Sequence, residues 1–415
     1  MKIYNTLTNS VDTISSISNT NSLGFYACGP TVYDLAHIGH LRKCTNDDIF
    51  IRTLRKAGFE VRYVMNITDV GHLVSDADTG DDKMEKAARA KEMTAHDLAE
   101  FYEKDFWQNI DGMGLLRPDV SCRATEHISV QIAQIQQLED KGLTYIIPND
   151  GVYFDTSKDP HYGELARLNL EQLKEGARIG LVEGKKHPSD FALWKFSPQD
   201  EKRQMEWDSP WGIGFPGWHI ECSAMSMKYL GEQFEIHTGG IDHIPVHHTN
   251  EIAQAEGATG KRPFVRYWVH YNFLRVEGQK MSKSLKNFLT LADITKKGFS
   301  PMALKMLFLT AQHRDELNFT WDSLQGAQKG YERLQRKVAA LLAEAHYPNW
   351  SDVPGYETHT AQPETKIIMD QFKVFMEDDL KTPQALALLW KLVKKNQASD
   401  LPALKEMTEY FGLQV

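Results

Sequence analysis

The chain has 415 residues, of which 41% are hydrophobic and 25% charged, and its formal net charge at pH 7 is −9. This composition is that of an ordinary globular protein with more than one domain, and the negative charge argues against a protein that coats duplex nucleic acid. No apolar run is long enough to cross a bilayer, and the opening residues, MKIYNTLTNS, lack a signal-peptide core. Because the four cysteines show no disulfide spacing, we expect a cytoplasmic protein without membrane contact.

A strand, a tight turn and a helix start are predicted in FYACGPTVYDLAHIGH, residues 25–40. The apolar run Leu23–Ala27 predicts the strand, the Gly-Pro pair predicts the turn, and we expect the helix over Ile38–Ala57. Free backbone N–H groups and the dipole at such a helix start suit an anion such as triphosphate, and His37 and His40 add donors. The glycine-rich dinucleotide fingerprint and the Gly-Lys-Ser/Thr phosphate loop are both absent here.

The next apolar run predicts that this unit continues as a parallel strand–helix–strand arrangement. Phe59–Asn66 reads as the second strand, and the crossover is expected to be right-handed. An acidic loop follows over Asp69–Asp82, and apolar residues spaced by three and four predict a helix over Lys83–Ile110.

The pattern changes from about residue 121 to about residue 200, which predicts an insertion between two halves of a nucleotide-binding fold. A helix is expected over residues 127–141, ending at Gly142. Leu143–Phe154 reads as a hairpin that turns at Asp150–Gly151.

The rest of the chain is read in the same way. We expect a loop over Trp207–Gly217, a strand over Phe234–His237, a helix that carries His247 and a strand region over Phe264–Arg275. Beyond about Thr320 the pattern is mostly helical.

A second motif follows that strand region, in the segment Gln279–Asn287, which reads QKMSKSLKN. Its ammonium groups, among them those of Lys280 and Lys283, suit a departing pyrophosphate, because catalysis of nucleotidyl transfer depends mainly on positioning and charge stabilisation. A lone run of this kind would normally be a solvated loop. Together, however, the His-Ile-Gly-His and Lys-Met-Ser-Lys-Ser strings resemble the two signature motifs of class I aminoacyl-tRNA synthetases.

Four further residues could form a tetrahedral zinc site of two thiolates, one imidazole and one carboxylate. They are Cys28, Cys222, His247 and Glu251. His247 and Glu251 are four residues apart and would share one face of a helix, whereas the rival ligand, His248, would not pair with Glu251 in this way. Taken one by one, each of these residues is equally consistent with an ordinary buried cysteine or a helix-surface pair.

As a set, these positions and their surroundings resemble the cysteinyl-tRNA synthetases. The similar segments are Gly29–Asp34 (GPTVYD), Asn66–Val70 (NITDV), Gly217–Ser226 (GWHIECSAMS) and His247–Gln254 (HHTNEIAQ). The resemblance implies that Cys28, Cys222, His247 and Glu251 hold one zinc ion per chain and that the zinc binds the thiolate of substrate cysteine. A soft thiolate binds zinc far better than a hydroxyl does, so the metal would reject serine.

The resemblance also assigns roles to other residues. It implies that ATP, bound with Mg²⁺, contacts Thr31, His37, Gly39, His40 and Lys283. His37, His40, Lys280 and Lys283 would support catalysis, and Cys28, Thr68, Trp218 and Asp242 would contact cysteine. A core tryptophan and a helix-capping aspartate remain the alternatives for Trp218 and Asp242.

The implied fold is α/β, with a Rossmann-like parallel-sheet catalytic domain, a connective insertion and a C-terminal α-helical bundle. The expected divisions are residues 1–120 and 201–275 for the two catalytic halves, 121–200 for the insertion, 276–320 for the Lys-Met-Ser-Lys-Ser loop and stem-contact region, and 321–415 for the bundle. Family members usually continue into a small anticodon-reading domain, so we expect a natural short form or a truncated chain, with this module incomplete.

The implied reaction is the ATP-dependent activation of L-cysteine to cysteinyl adenylate and its transfer to the 3′ end of tRNA(Cys), by a monomer. Basic patches could contact the tRNA, although they could equally be solvated helix faces; they are Lys329, Arg333, Arg336 and Lys337, and Lys391, Lys394 and Lys395. Two alternatives remain. One is a related cysteine ligase acting on the amine of a glucosaminyl-inositol, and the other is an inactive paralogue that binds zinc or RNA.

Overall fold

The computed structural model describes residues 1–70, 83–168, 183–198, 202–282, 285, 287–358 and 361–415. Its strands are β1 (Lys2–Asn5), β2 (Ser10–Thr13), β3 (Ser22–Ala27), β4 (Glu60–Ile67), β5 (Val120–Arg123), β6 (Thr144–Ile147), β7 (Gly151–Phe154), β8 (Phe191–Phe196), β9 (Gly214–Pro216), β10 (Phe234–Gly240), β11 (Val265–Tyr271), β12 (Leu274–Val276), β13 (Gln279–Lys280) and β14 (Leu317–Phe319).

The helices of the described residues follow the same chain order. They are α1 (Ile38–Lys56), α2 (Lys83–Ala90), α3 (Ala95–Gly112), α4 (Ile128–Asp140), α5 (Trp218–Leu230), α6 (Thr249–Thr259), α7 (Leu291–Lys296), α8 (Pro301–Phe308), α9 (Trp321–Glu344), α10 (Pro363–Glu377), α11 (Thr382–Lys395) and α12 (Leu401–Phe411). Within this part of the chain, no helix combines the length and apolar character that a bilayer crossing needs.

A five-stranded parallel sheet with the strand order β11-β10-β3-β4-β5 forms the central layer. Its inner strands read as apolar runs because both faces are covered; in β3, for example, Leu23, Phe25 and Tyr26 are completely buried. All carboxyl ends lie at one edge, where ligands bind in open sheets of this kind. The strand order reverses between β3 and β10, so residues from distant parts of the chain meet at that edge.

The insertion forms a sheet of its own, with the antiparallel order β6-β7-β8-β9. The predicted hairpin is present, although its turn lies at residues 148–150 and Gly151 already belongs to β7. The predicted loop over Trp207–Gly217 contains the short strand β9, because Gly214–Pro216 pairs with β8.

Other element boundaries differ from the predictions for local reasons. The helix expected over Lys83–Ile110 is two helices, because Glu92 adopts φ +55° and Thr94 caps α3. The strand region expected over Phe264–Arg275 is also divided: β11 belongs to the central sheet, whereas β12 pairs with β13 and β14. The predicted loop Asp69–Asp82 lies mostly outside the described residues, and the domain boundaries remain predictions.

A buried ion pair joins α1 to the C-terminal helices. The Lys305 ammonium on α8 donates to Asp48 Oδ2 on α1 at 2.9 Å and to the carbonyl of Gly412, which ends α12, at 2.8 Å. Asp48 also accepts from Arg52 Nε at 2.9 Å. Gly412 has φ +60°, and an added Cβ would lie 2.5 Å from Lys305 Nζ, so glycine allows this close approach.

We predict that Asp48→Ala lowers the free energy of unfolding by about 3–5 kcal/mol, because it leaves a buried ammonium without its carboxylate. Urea denaturation followed by tryptophan fluorescence measures the change. The matched control is Lys366→Ala, which breaks a pair with Asp370 whose side chains are 65% and 60% exposed. This control should leave the free energy of unfolding unchanged within error. Equal effects of the two substitutions would contradict the prediction.

Candidate functional site

A cavity of about 430 Å³ opens at the carboxyl edge of the central sheet. The ends of β3, β4, β10 and β11, the start of α1, the start of α5 and the β12–β13 hairpin all contribute to its wall. The predicted site residues that line it are Cys28, Thr31, His37, Gly39, His40, Thr68, Trp218, Cys222, Asp242, His247 and Lys280. The sheet therefore brings together residues that are more than 200 positions apart in the sequence.

The four predicted metal ligands converge at the floor of this cavity. One donor atom from each of Cys28, Cys222, His247 and Glu251 lies within 4.8 Å of the others. Cys28 follows β3, Cys222 lies on α5, His247 lies on the π-helical turn Ile244–His248, and Glu251 lies in the first turn of α6. All four are buried, with exposures of 7%, 1%, 2% and 0%. This donor set is one that zinc prefers.

Histidines surround the carboxylate of this cluster. Glu251 Oε1 lies 3.0 Å from His247 Nε2, and Oε2 lies 3.0 Å from His237 Nε2. Burial raises the pKa of Glu251, but these two imidazoles lower it to about 2. Conversely, burial lowers the pKa of His247, but Glu251 and Cys28 raise it to about 10. His247 Nδ1 lies 3.0 Å from His219 Nδ1, which fixes the orientation of its ring.

The two thiols are in contact with each other and differ in acidity. Burial raises the pKa of Cys28, but a hydrogen bond from Cys222 and the nearby His248 lower it well below the usual value. The pKa of Cys222 is raised by that same hydrogen bond, by burial and by Glu251. The shift at Cys28 therefore favours the thiolate form that a metal ligand needs.

The rival ligand His248 is also close to the cluster. Its Nε2 lies 3.3 Å from Cys28 Sγ, and its Nδ1 lies 2.7 Å from His270 Nε2. A second group of donor atoms, from Cys28, His237, His248 and Glu251, is equally compact. However, only Cys28 of this second group lines the cavity, whereas Cys28, Cys222 and His247 of the first group all do. The first group is therefore the one that a ligand in the cavity can reach.

The predicted cysteine contacts lie beside these donors. The Trp218 ring centroid is 4.3 Å from that of His247. Trp218 is half-buried and lines the cavity, so it is not a core residue. Asp242 is exposed on the turn after β10. The Thr68 hydroxyl donates to Glu221 at 2.9 Å and accepts from Asn66 Nδ2 at 3.2 Å, so its one donor is already used and it could offer a ligand only an acceptor.

His37 and His40 form a reciprocal cap at the start of α1. His37 Nδ1 accepts from the backbone N–H groups of Gly39 and His40 at 3.1 and 3.2 Å, and His40 Nδ1 accepts from the His37 N–H at 3.3 Å. The N–H of Ile38 donates to the carbonyl of Leu289. The backbone donors that we expected to be free for an anion are thus occupied, and the imidazoles are left to face it.

This cap also fixes the tautomer of His37. Burial lowers the pKa of His37 to about 4, so the ring is neutral at pH 7. Because Nδ1 accepts, the proton lies on Nε2, where it can be donated to a ligand. The two rings stack with centroids 3.7 Å apart. A Cβ on Gly39 would lie 2.8 Å from His37 Cε1, which explains the glycine between them.

The lysines of the second motif are only partly visible. Lys280 ends β13 and lies on the cavity wall with its Nζ 5.8 Å from the Phe273 ring centroid. Lys283 lies outside the described residues. The β12–β13 hairpin therefore brings Lys280, the first lysine of the second motif, to the cavity wall.

Sequence reasoning missed several residues of the site. Lys43 Nζ donates to the Cys28 carbonyl at 2.6 Å and pairs with Asp47, which is completely buried. His219 and His237 contact two of the metal-ligand candidates. The signal for Lys43 and Asp47 was their spacing of four on α1, whereas nothing local marks either histidine.

The basic patches lie on α9 and α11, away from the cavity. Lys337 Nζ donates to Asn396 Oδ1 at 2.9 Å, and Lys395 lies 3.3 Å from Asp400. Arg333 lies 5.8 Å from the Trp390 ring centroid. Asp400 thus offsets the charge of Lys395, whereas the partners of Lys337 and Arg333 are neutral. The role of these patches in binding tRNA stays a prediction.

Comparisons with known proteins agree with this arrangement. The family model described as "tRNA synthetases class I (C) catalytic domain" matches residues 14–329. The cysteine--tRNA ligase of Treponema denticola is 44% identical over 100% of this chain and 86% of its own length. Cysteine--tRNA ligase 1 of Burkholderia lata is 47% identical over 95% of this chain and 80% of its own length. The chain belongs to the cysteine--tRNA ligase family of class I tRNA synthetases.

The fold expected for this family is confirmed. The methionyl-tRNA synthetase of Mycobacterium tuberculosis in complex with methionyl-adenylate superimposes with a TM-score of 0.63 at 13% sequence identity, over 94% of this chain and 89% of that chain. Both the α/β class and the Rossmann-like parallel sheet, with its insertion and C-terminal helices, are as predicted.

The helix cap gives a prediction, because ATP use is general in this family. Gly39→Ala should push the His37 ring out of its cap and lower kcat/KM for ATP in the ATP–pyrophosphate exchange reaction by about tenfold or more, with the KM for cysteine within about twofold. The matched control is Gly326→Ala on α9, where an added Cβ meets no atom within 4 Å. Equal effects on ATP and cysteine would contradict this interpretation of the cap.

Proposed function

We propose that the chain activates L-cysteine with ATP–Mg²⁺ to give cysteinyl adenylate and transfers the cysteinyl group to the 3′ end of tRNA(Cys). The observation that supports this most directly is the meeting of two groups of residues in one cavity. One is the buried cluster of two thiols, an imidazole and a carboxylate, and the other is the histidine-capped start of α1 together with Lys280 of the β12–β13 hairpin. The first group suits a soft sulfur ligand, and the second suits a polyphosphate.

We further propose that Cys28, Cys222, His247 and Glu251 hold one zinc ion per chain. The fit rests on the donor chemistry, on the burial of all four residues and on the ring contacts that orient His247 and Glu251 from outside the cluster. Bound there, zinc would supply a bond to the thiolate of cysteine that the hydroxyl of serine cannot match. Cavity shape alone discriminates such near-isosteres by only a few kcal/mol.

The residues of the chain then have distinct tasks. Trp218, whose ring lies beside that of His247, covers the side chain of the bound amino acid, and Asp242 offers a carboxylate to its ammonium group or to the ribose. Thr68 supports the cavity wall through Glu221 and Asn66. The neutral His37 and His40 donate their remaining N–H groups to the phosphates, beside Thr31 and Gly39. Lys280 and Lys283 offset the charge that develops on the departing pyrophosphate.

Transfer to tRNA distinguishes this function from its two alternatives. We expect cysteine-dependent ATP–pyrophosphate exchange, and acylation of tRNA(Cys) by radiolabelled cysteine but not by serine. A glucosaminyl-inositol amine, tested as the acceptor under the same conditions, should accept no label. Exchange with transfer only to that amine would establish the related ligase, and no exchange at all would establish an inactive paralogue.

The metal assignment is tested by substituting one ligand. Cys222→Ser should lower the zinc content from about one per chain and raise the KM for cysteine by about tenfold or more, because a hydroxyl is a much poorer ligand. Cys122→Ser is the matched control, because Cys122 is equally buried (1% exposed) but lies on β5, outside the cluster. Full zinc content with an unchanged KM in Cys222→Ser would remove the assignment.

A further inference from the structure

A buried arginine on α1 binds four backbone carbonyls. Arg42 is 2% exposed and lies two residues after His40. Its Nη1 donates to the carbonyls of Asn272 and Phe273 at 3.0 and 2.8 Å, and its Nη2 donates to the carbonyls of Gln312 and Asp315 at 3.2 and 2.7 Å.

The Arg42 guanidinium is a buried positive charge that binds backbone carbonyls through these four hydrogen bonds. All four acceptors are neutral carbonyls, and their hydrogen bonds to a charged donor offset part of the cost of burying the guanidinium. The nearby Asp315 carboxylate adds a favourable electrostatic interaction. Burial lowers the pKa of Arg42 to about 10, and the group therefore stays charged at neutral pH. A planar fork of donors can reach acceptors on separate segments at once, which the ammonium of a lysine cannot reproduce.

The four carbonyls lie where the second motif is anchored. Asn272 and Phe273 connect β11 to β12, the first strand of the hairpin that carries Lys280. Gln312 and Asp315 precede β14, which pairs with β12, and Leu317 N also donates to the Phe273 carbonyl at 3.1 Å. The guanidinium thus fixes the base of the β12–β13 hairpin, which is the connection Asn272–Phe273.

Leu289 and Thr290, which follow the second motif in the sequence, are also attached to the start of α1. The Ile38 N–H donates to the Leu289 carbonyl at 2.9 Å, and His37 forms a backbone bridge with Thr290. The segment Gln279–Asn287 therefore lies between two attachments to the helix that also bears His37 and His40. Arg42 does not itself line the cavity, whereas Asn272, Phe273 and Lys280 do.

We propose that Arg42 is a positioning residue for adenylate formation, which holds the hairpin base so that Lys280 faces the ATP end of the cavity. The inference rests on the proposed function. Misplacement of a charged group by about 1 Å costs up to about 100-fold in rate. Loss of the fork should therefore act on ATP and not on cysteine, because the metal-ligand candidates lie on other elements than the hairpin.

The test compares Arg42→Gln with Arg52→Gln. Both substitutions remove a guanidinium from α1, but Arg52 contacts Asp48 and the Glu409 carbonyl and is remote from the hairpin. In ATP–pyrophosphate exchange, Arg42→Gln should lower kcat/KM for ATP by about 10-fold to 100-fold, with the KM for cysteine within about twofold. Arg52→Gln should change neither by more than about twofold. Equal losses for ATP and cysteine, no loss for ATP, or the same loss in Arg52→Gln would overturn the proposal.

Circular dichroism ensures that only folded protein is compared. If Arg42→Gln does not fold, Arg42→Lys, which keeps the charge without the fork, is measured in the same way and should show the same split between ATP and cysteine. If neither variant folds while Arg52→Gln does, Arg42 serves stability and the proposal is wrong. Wild-type protein without cysteine-dependent exchange would refute the proposed function instead, so the two failures are distinguishable.

Discussion

The burial of a carboxylate and two thiols at the carboxyl edge of the parallel sheet is the constraint on which the rest of the site depends. Glu251 is completely buried, and an unpaired carboxylate in such a place would cost several kcal/mol. It is tolerated because His237 and His247 each face one of its oxygens. The two partners come from a strand and a π-helical turn, and Glu251 itself comes from a helix, so the cluster forms only when β10 and α6 are correctly placed beside β3. A one-residue slip of β3 would also turn Cys28 to the opposite face of the sheet.

The helix α1 connects the metal-ligand cluster to the histidine cap, to the hairpin base and to the C-terminal helices. At its start, the histidine cap faces the cavity; one turn later, Lys43 donates to the carbonyl of the metal-ligand candidate Cys28, and Arg42 holds the hairpin base. Two turns further on, Asp48 pairs with Lys305 and so attaches the helix to the C-terminal helices. Neighbouring residues of one rigid element therefore fix the amino acid end and the ATP end of the cavity relative to each other. The distance between the two reacting ends is set by the geometry of a helix and not by a loop.

Local sequence patterns were enough to predict β3, α1 and β4 to within one or two residues, because glycine or proline marks the boundaries between three continuous runs. The four candidate ligands came together as a set through the family resemblance, because the only local pattern among them was the spacing of four between His247 and Glu251. Local patterns did not predict that His237 would face Glu251, because His237 lies within a buried strand and only the parallel pairing of β10 with its neighbours brings it there. The four carbonyls that bind Arg42 could not be predicted either, because nothing in the sequence near Arg42 indicates which distant residues would accept its hydrogen bonds. Contacts of this kind depend on topology and not on periodicity.

The neutral state of the histidine cap bears on how charge is distributed over the cavity. With a pKa of about 4, His37 offers a hydrogen bond but no positive charge, and the backbone donors beside it are already used within the cap. On the proposed function, the start of α1 can therefore orient the phosphates of ATP without binding pyrophosphate tightly. The positive charge must come from elsewhere, and the segment Gln279–Asn287 holds three lysines within nine residues. Orientation by one element and neutralisation by another would let the charge act mainly in the transition state, where it contributes most to rate. That division makes the position of the hairpin base decisive, and Arg42 is the residue that holds it.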